Sequence, residues 1–432
     1  MSLNRDGIEI IQNYRQRAAS LLLYQSVFTS DIGRSLLALL ETFTTEDPIS
    51  CSQAYGHWFS ALATHQQSWQ QHLTAQILVT DNAFSQQAQH LPHSITADTL
   101  TERISPSILA AAEHDFAILH DFHQLSAEQI SQWLGELSSS SAPPSTAKTP
   151  NPRWLSVAEA ATHYRTHGVG IFGQFIAFRW QNNPDRSSNQ IGAQLIGIPT
   201  PDPIQLSQLV AYDHPKQQLI QNTESLLRGY TAQNVLLYGS RGAGKSSLVK
   251  ALLNEYKDKG LRLIEVPKSH LQNLPQIIGP LSHVPQKFII FVDDLSFEED
   301  DEAFKSLKVV LEGGVTARPQ NVVVYATSNR RHLVREFFDD RPKPKDADEI
   351  QSWDTVQEKL SFSDRFGLTL TFTPADQSTY LTIVRQLATQ AGLTLEAENL
   401  DWRARQWATR HNGRSGRTAR QFVDFLTAEQ GD

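Results

Sequence analysis

The strongest constraint on the fold is a glycine-rich loop, Gly239–Ser246, that joins an apolar run to an amphipathic run. The loop reads GSRGAGKS and fits the spacing G-x-x-x-x-G-K-[ST]. Glycine lets the backbone curl so that its N–H groups point inward at an anion, and a following helix adds the positive end of its dipole. The sequence therefore predicts a phosphate-binding loop between a buried strand and a helix.

Residues of this loop have separate predicted roles toward a nucleotide and its metal. Lys245 is expected to place its charge beside the β- and γ-phosphates, and the Ser246 hydroxyl is expected to ligate Mg²⁺. An ordinary strand-to-helix turn with a surface lysine is the alternative, but the flanking runs favour phosphate binding. The residues expected to hold the nucleotide here are Gly239, Ser240, Arg241, Gly242, Ala243, Gly244, Lys245, Ser246 and Ser247.

Two carboxylates, Asp293 and Asp294, follow an apolar run at 288–292. A buried strand that ends in acid is how phosphate-loop proteins hold Mg²⁺, so we expect Asp293 to bind the metal through water. Asp294 is then expected to polarise the attacking water. The alternative is an ordinary strand that meets a solvated acidic loop, because carboxylates continue over 298–302.

Polar residues also end the apolar run at 322–326. In a parallel sheet, the carboxyl ends of the strands line the ligand crevice. Asn329 is therefore predicted to orient the attacking water, with Thr327 and Ser328 as secondary candidates. A loop-capping asparagine is the alternative interpretation.

From Asn234 onward, apolar runs alternate with helical patterns, which predicts a parallel sheet covered by helices. Before this region, helical periodicity fills residues 1–137, whereas the stretch GVGIFGQFIAFRW at 168–180 indicates a strand or hairpin. The predicted strands span 235–238, 261–266, 288–292, 322–326 and 368–372. The predicted division is an all-helical N-terminal domain at 1–137, a Ser/Pro-rich linker at 138–152, a connecting segment at 153–200, an α/β core at 201–373 and a helical lid at 374–432.

Composition excludes several classes of protein. The chain has one cysteine, Cys51, which rules out an intrachain disulfide framework and a cysteine-rich zinc site. The formal net charge of −8 argues against a basic surface for nucleic acid. His120 and His123 lack the carboxylates of a metal site and are predicted to be surface or packing residues. No run is long and apolar enough for a membrane helix or a signal peptide, so we expect a cytoplasmic protein without a membrane partner.

Five runs together, NVLLYGSRGAGKSS, FVDDLSFE, LEGGV, YATSNRRHL and LSFSDRFGL, resemble the AAA+ superfamily of P-loop ATPases. The similarity covers residues 201–426 and points to an uncharacterised bacterial AAA+ family without an assigned role. It implies an α/β P-loop NTPase core with a C-terminal helical lid, and ATP and Mg²⁺ as cofactors. It also implies an ATPase that hydrolyses ATP at the subunit interfaces of a homo-oligomer.

The same resemblance gives expected roles to residues outside the loop. Arg365, in LSFSDRFGL, corresponds to the arginine finger that a subunit offers to its neighbour's γ-phosphate, with a surface ion pair as the alternative. Arg417 corresponds to the sensor arginine of the lid, and Arg420 is the runner-up. Leu209 and Val210 fall where AAA+ proteins enclose adenine.

One position departs from the pattern of most hydrolysing AAA+ proteins. They place glutamate where this chain has Asp294, and the shorter side chain changes the reach of the carboxylate. This difference favours slow turnover or a switch-like use of ATP. A long charged segment, Arg335–Lys359, is predicted to be an exposed loop with a short helix near a subunit interface, or a solvated insertion.

The leading hypothesis is an AAA+ ATPase that remodels or assembles a protein or protein–nucleic acid client, recognised through the N-terminal helical domain. A slow ATP-dependent switch or adaptor is the second hypothesis, and a helicase-loader-like ATPase is the third. The acidic balance disfavours nucleic acid, since such binding depends on phosphate neutralisation. A P-loop kinase is disfavoured, because kinases lack this order of asparagine, arginine finger and lid arginine. The arginine cluster that keeps the third hypothesis open is Arg403, Arg405, Arg410, Arg414, Arg417 and Arg420.

Overall fold

The computed structural model describes residues 5–45, 47–92, 99, 101–138, 152–181, 195–296, 302–312, 319–329, 364–411 and 413–430. Contacts divide the chain into two compact units, Met1–Gln174 and Phe175–Asp432. Most of the predicted linker, the acidic residues 298–301, part of the run LEGGV and the charged segment Arg335–Lys359 lie outside the described residues. No described helix is long and apolar enough to cross a membrane.

The first unit is helical in its described part. Polar residues fix where several helices begin: the Ser68 hydroxyl accepts a bond from the Gln71 N–H, and the Ser156 hydroxyl accepts one from the Glu159 N–H. The helices are α1 (Arg5–Ala19), α2 (Asp31–Phe43), α3 (Pro48–His65), α4 (Trp69–Val79), α5 (Ala83–Gln89), α6 (Pro106–Gln124), α7 (Ala127–Ser138), α8 (Val157–His167) and α9 (Gly170–Gln174).

Aromatic side chains fill the core of this unit. Trp58 and Trp69 are buried, and Trp69 Nε1 donates to the Phe122 carbonyl at 2.7 Å. The Asp115 carboxylate is fully buried and accepts backbone N–H bonds from residues 22–24 at 2.7 to 3.0 Å. These bonds satisfy a charge that would otherwise be costly to bury.

Residues 153–174 pack into the same core. Tyr164 and Val169 are buried in it, and the Tyr164 hydroxyl donates to the Ile77 carbonyl at 2.6 Å. The predicted strand or hairpin over 168–180 is wrong in its first part, because Gly170–Gln174 form a helix and the strand begins at Ala177. Short apolar runs fit a strand and a buried helix equally well, so packing decides between them.

Within the described residues, the second unit contains a seven-stranded sheet in the spatial order β2-β1-β4-β5-β6-β3-β7. The strands are β1 (Ala177–Trp180), β2 (Leu195–Gly197), β3 (Val235–Gly239), β4 (Leu261–Glu265), β5 (Lys287–Val292), β6 (Val322–Ser328) and β7 (Leu368–Phe372). β1 and β2 are antiparallel, and the other described neighbours are parallel. Successive residues of β6 are buried, as expected when helices cover both faces of a parallel sheet.

The helices of this unit form two groups. Four of the described helices alternate with the strands: α10 (Asp213–Leu227), α11 (Lys245–Tyr256), α12 (Leu274–Leu281) and α13 (Glu302–Glu312). Three more make the lid: α14 (Gln377–Gln390), α15 (Ala397–Arg410) and α16 (Gly416–Gln430). Tyr380, Ala404 and Phe422, one from each lid helix, are buried in a shared core. The predicted fold class, a mostly parallel sheet with a helical lid and a helical N-terminal part, is confirmed.

Candidate functional site

A cavity of about 590 Å³ lies beyond the carboxyl ends of β3, β5 and β6. The segment before α10 and the lid helices α14 and α16 complete its walls. This is the position in which open parallel sheets bind their ligands. Many residues predicted from the sequence line it together: Leu209, Val210, Arg241–Ser247, Asp293, Asp294, Asn329 and Arg417, with the runner-up Arg420.

The phosphate loop has the curled backbone that its glycines permit. Gly239 and Gly242 have φ angles of 138° and 74°, a region that L side chains rarely adopt. A Cβ at Gly239 would collide with the carbonyl oxygen of Phe372, to which the Ser240 N–H donates at 3.0 Å. The loop is therefore packed directly against the end of β7, and α11 begins at Lys245 as predicted.

The Lys245 side chain is buried at the centre of this loop. Its Nζ donates to the carbonyls of Gly239 and Ser240, both at 2.8 Å, and to Oδ1 of Asn329 at 3.3 Å. Burial lowers the pKa of Lys245, while the carboxylates of Asp293 and Asp294 act in the opposite direction. The loop thus holds one ammonium group against its own backbone carbonyls and beside the end of β6.

Asp293 joins the phosphate loop to the central strands. Its Oδ1 accepts bonds from the Ser246 hydroxyl at 2.6 Å and from the Thr327 hydroxyl. Carboxylate and hydroxyl oxygens are the ligand type that Mg²⁺ prefers, so this pair fits the ion. Among the described residues, no group of three His, Cys, Asp or Glu comes together as a separate metal site.

Asp294 follows in a left-handed backbone conformation, with φ of 51°. Its N–H donates to the Thr327 hydroxyl at 2.9 Å, and its Oδ1 accepts a bond from Asn329 Nδ2 at 2.6 Å. Asn329 therefore contacts Lys245 through its carbonyl oxygen and Asp294 through its amide nitrogen. The three residues form one connected polar group along the cavity wall.

The lid contacts the phosphate loop through the first turn of α16. The Arg417 N–H donates to the Gly242 carbonyl at 3.3 Å, so the helix contacts the phosphate loop through main-chain atoms. The hydroxyl of Ser415 accepts a bond from the Thr418 N–H and caps the helix. Arg417 and Arg420, the two candidates for the sensor arginine, both line the cavity.

Apolar side chains also line the cavity. Ile383 and Leu387 of α14 line it together with the predicted Leu209 and Val210. Lys216 of α10 donates to the carbonyls of Leu206 and Leu209, at 2.6 and 3.2 Å, and so fixes the loop that carries the predicted pair. Sequence reasoning missed the two α14 residues, although their spacing of one helical turn was a usable signal.

Arg365 does not line the cavity of its own chain. It lies three residues before β7, which runs parallel to β3 with Val235 opposite Leu368. The phosphate loop follows the other end of β3, and that strand is about 13 Å long. Arg365 therefore lies near the amino ends of β3 and β7, whereas the phosphate loop lies at their carboxyl ends.

Comparison with known proteins gives a family and several similar chains. A family model described as "Protein of unknown function (DUF815)" matches residues 173–430, more than half of the chain. The replication factor C large subunit of Staphylothermus marinus is 40% identical over 76 residues, which are 17% of this chain and 17% of that protein. This chain therefore spans a small part of that relative's length.

Two solved structures are similar over about half of the chain. The RuvB Holliday junction branch migration motor of Thermotoga maritima has 14% identity and a TM-score of 0.31, over 52% of this chain and 72% of that one. The AAA domain of FIGL-1 in complex with ADP has 18% identity and a TM-score of 0.36, over 53% of this chain and 74% of that one.

Proposed function

The chain belongs to the family described as "Protein of unknown function (DUF815)", and from this premise we propose that it is an AAA+ ATPase. ATP binds with Mg²⁺ in the cavity and is hydrolysed where two subunits of a homo-oligomer meet. The observation that supports this function best is that the phosphate loop, both carboxylates and Asn329 line one cavity. The residues that line it all fall within the matched stretch, 173–430.

The charged residues that line the cavity suit a triphosphate. Lys245, Arg241, Arg417 and Arg420 line the cavity, so its cations outnumber its two carboxylates. The first turns of α11 and α16 also lie there, and helix N-termini attract anions through their free N–H groups. Leu209, Val210 and the two α14 residues would enclose the adenine.

The residues divide the chemistry among them. Ser246 and Asp293 would hold Mg²⁺, which neutralises charge on the phosphate oxygens when it is bound. Lys245 binds the β- and γ-phosphates, and Asp294 orients the attacking water and accepts its proton. Asn329 holds the carboxylate of Asp294 through the 2.6 Å bond from its Nδ2.

The central test of ATP binding is Lys245→Ala. Loss of a charged donor should weaken ATP binding by about 10- to 100-fold in calorimetry. Lys250→Ala is the matched control, because Lys250 lies on the same helix, pairs with Asp202 at 3.5 Å and does not line the cavity. Equal ATP affinity for Lys245→Ala and the wild type would contradict the proposal.

A slow, switch-like ATPase is the second candidate, and the surroundings of Asp294 favour it. This carboxylate is one methylene shorter than glutamate and is already bonded to Asn329. Binding of ATP would then order an assembly, and hydrolysis would serve as a timer. Turnover of the purified chain separates the two candidates, since enzymes commonly reach about 1 s⁻¹ or more and a timer would be far slower.

The client is proposed to be a protein bound by the first unit. Nucleic acid is less favoured, because several members of the arginine cluster are engaged elsewhere. Arg403 pairs with Glu429, Arg405 lies 3.9 Å from Asp401, and Arg417 lines the cavity. Filter binding at low salt tests the loader alternative, and absence of DNA retention would end it.

A further inference from the structure

The hydroxyl of Thr327 connects the two acidic residues of the cavity, through the side chain of Asp293 and the backbone of Asp294. Thr327 is buried at the end of β6, where its Oγ1 donates to Asp293 Oδ1 and accepts a bond from the Asp294 N–H at 2.9 Å. One hydroxyl thereby sets the side chain of one acid and the backbone of the next. The single O–H donor of Thr327 is thus directed at Asp293, and one of its acceptor lone pairs is directed at Asp294.

The backbone that Thr327 holds is in an unusual conformation. Asp294 has φ of 51°, which L residues other than Asn and Asp seldom adopt. The next residue is fastened to the same strand: Leu295 N–H donates to the Thr327 carbonyl, and the Ser328 hydroxyl donates to the Leu295 carbonyl, both at 2.7 Å. The acid loop is thus fixed to β6 at three points.

The side chain of Asp293 is oriented by the same contact. Its Oδ1 accepts from Ser246, from Thr327 and from the Asp294 N–H, the last at 3.2 Å. Within the described residues, these bonds all converge on Oδ1 and none of them reaches Oδ2. The convergence fixes which oxygen of the carboxylate remains available to a metal-bound water.

We propose that Thr327 is a positioning residue for Asp293 and Asp294, an inference that rests on the proposed ATPase function. Its hydroxyl keeps the Asp293 carboxylate turned for the metal and keeps Asp294 in the backbone conformation that presents its carboxylate to water. Loss of this hydroxyl should therefore lower the rate of the chemical step. It should also reduce the gain in nucleotide affinity that Mg²⁺ gives. The contacts of a nucleotide with the phosphate loop and with the apolar residues of the cavity should persist.

Two substitutions separate this role from packing. Thr327→Val keeps the shape of the side chain and removes the hydroxyl, whereas Thr327→Ser keeps the hydroxyl and removes a methyl group. We expect Thr327→Val to lower kcat by about 10- to 100-fold, because small misplacements of reacting groups have effects of that size. Thr327→Ser should recover kcat to within about threefold of the wild type, as the positioned groups are restored.

Binding measurements provide the readout that does not depend on turnover. Calorimetry with the non-hydrolysed analogue AMP-PNP is carried out in EDTA and then with Mg²⁺, on wild type and both variants. In EDTA the three affinities should agree within about twofold, since the phosphate loop is unchanged. With Mg²⁺, the gain in affinity should be smaller for Thr327→Val than for wild type and Thr327→Ser.

The outcomes are distinguishable. Wild-type kcat and a wild-type Mg²⁺ effect in Thr327→Val would overturn the inference. So would a loss of AMP-PNP binding in EDTA together with a lower unfolding temperature in both variants, because that pattern indicates a packing role. A wild-type chain that neither binds AMP-PNP nor releases phosphate from ATP would instead refute the proposed function itself.

Discussion

At the scale of single residues, Asn329 connects the cation of the phosphate loop to the acid that follows β5. Its side chain contacts Lys245 at 3.3 Å and Asp294 at 2.6 Å. A phosphate that binds Lys245 would therefore also act on the residue that holds the proposed base. This connection relates nucleotide occupancy to the position of the carboxylate without any large movement.

Replacement of Asp294 tests the proposed base directly. Asp294→Asn should bind ATP with near wild-type affinity and lower the rate of phosphate release by about 100-fold or more, because the amide cannot accept the proton. Asp424→Asn is the control, as Asp424 is an exposed residue of α16 that does not line the cavity. Phosphate release by Asp294→Asn at the wild-type rate would remove Asp294 from the mechanism.

The sequence predicted the loop and the acids because their chemistry depends on local spacing. Glycines before a lysine, and acids after an apolar run, constrain the chain within a few residues. The role of Thr327 could not be predicted in this way, since its hydroxyl meets a backbone N–H 33 residues earlier and depends on the left-handed turn at Asp294. Only the folded sheet brings these groups together.

At the scale of elements, α14 contributes to the lid core and to the cavity at once. Leu387 is buried in the lid core and is also one of the apolar residues that line the cavity. Leu381 is buried in the same core but does not line the cavity. The two leucines therefore separate the stability of the lid from its contact with a nucleotide.

A pair of identical substitutions uses this difference. Leu387→Ala and Leu381→Ala should each lower the free energy of unfolding by about 2–3 kcal/mol, because both leave a cavity in the lid core. Only Leu387→Ala should also weaken ADP binding, by about three- to tenfold, through lost apolar contact. Denaturant unfolding and calorimetry measure the two effects, and equal ADP affinities for the two variants would contradict the proposed adenine site.

The strands were predictable where apolar runs are long and bounded by turn residues. The observed bounds of β4, β5 and β7 lie within one residue of the predicted ones. The helix at Gly170–Gln174 was not predicted, because its glycine-rich run has no helical periodicity; in the structure it contacts α4 and α8 of the first unit. The predicted membership of a family without an assigned role is confirmed by the family match.

At the scale of the whole molecule, the proposed role of Arg365 as an arginine finger requires a second copy of the chain. Arg365 lies at the amino end of β7, whereas the phosphate loop packs against the carboxyl end of that strand. If Arg365 contacts a γ-phosphate as proposed, that phosphate is bound by a neighbouring subunit. The proposed ATPase is therefore incomplete as a monomer.

Mixing of two inactive variants tests this dependence. Arg365→Ala should keep its ATP affinity and lose about 10³-fold in turnover, the size of effect known for an arginine finger. Lys245→Ala lacks a working site but retains its finger, so a mixture of the two should recover part of the phosphate release. Arg410→Ala, at an exposed position of α15, serves as the control.

Turnover as a function of protein concentration gives a second check. If the finger comes from another subunit as proposed, the rate per chain should fall on dilution as the oligomer dissociates. A rate per chain that stays constant on dilution, together with no recovery in the mixture, would contradict a site shared between subunits.

The bond between the Arg417 N–H and the Gly242 carbonyl involves no side chain. Alanine scanning would therefore leave this linkage untouched, and so would most amino-acid exchanges during evolution. Proline at position 417 would abolish it, because proline has no N–H group, and the first turn of a helix tolerates that residue. The lid and the phosphate loop can thus keep this hydrogen bond while the side chains around it change.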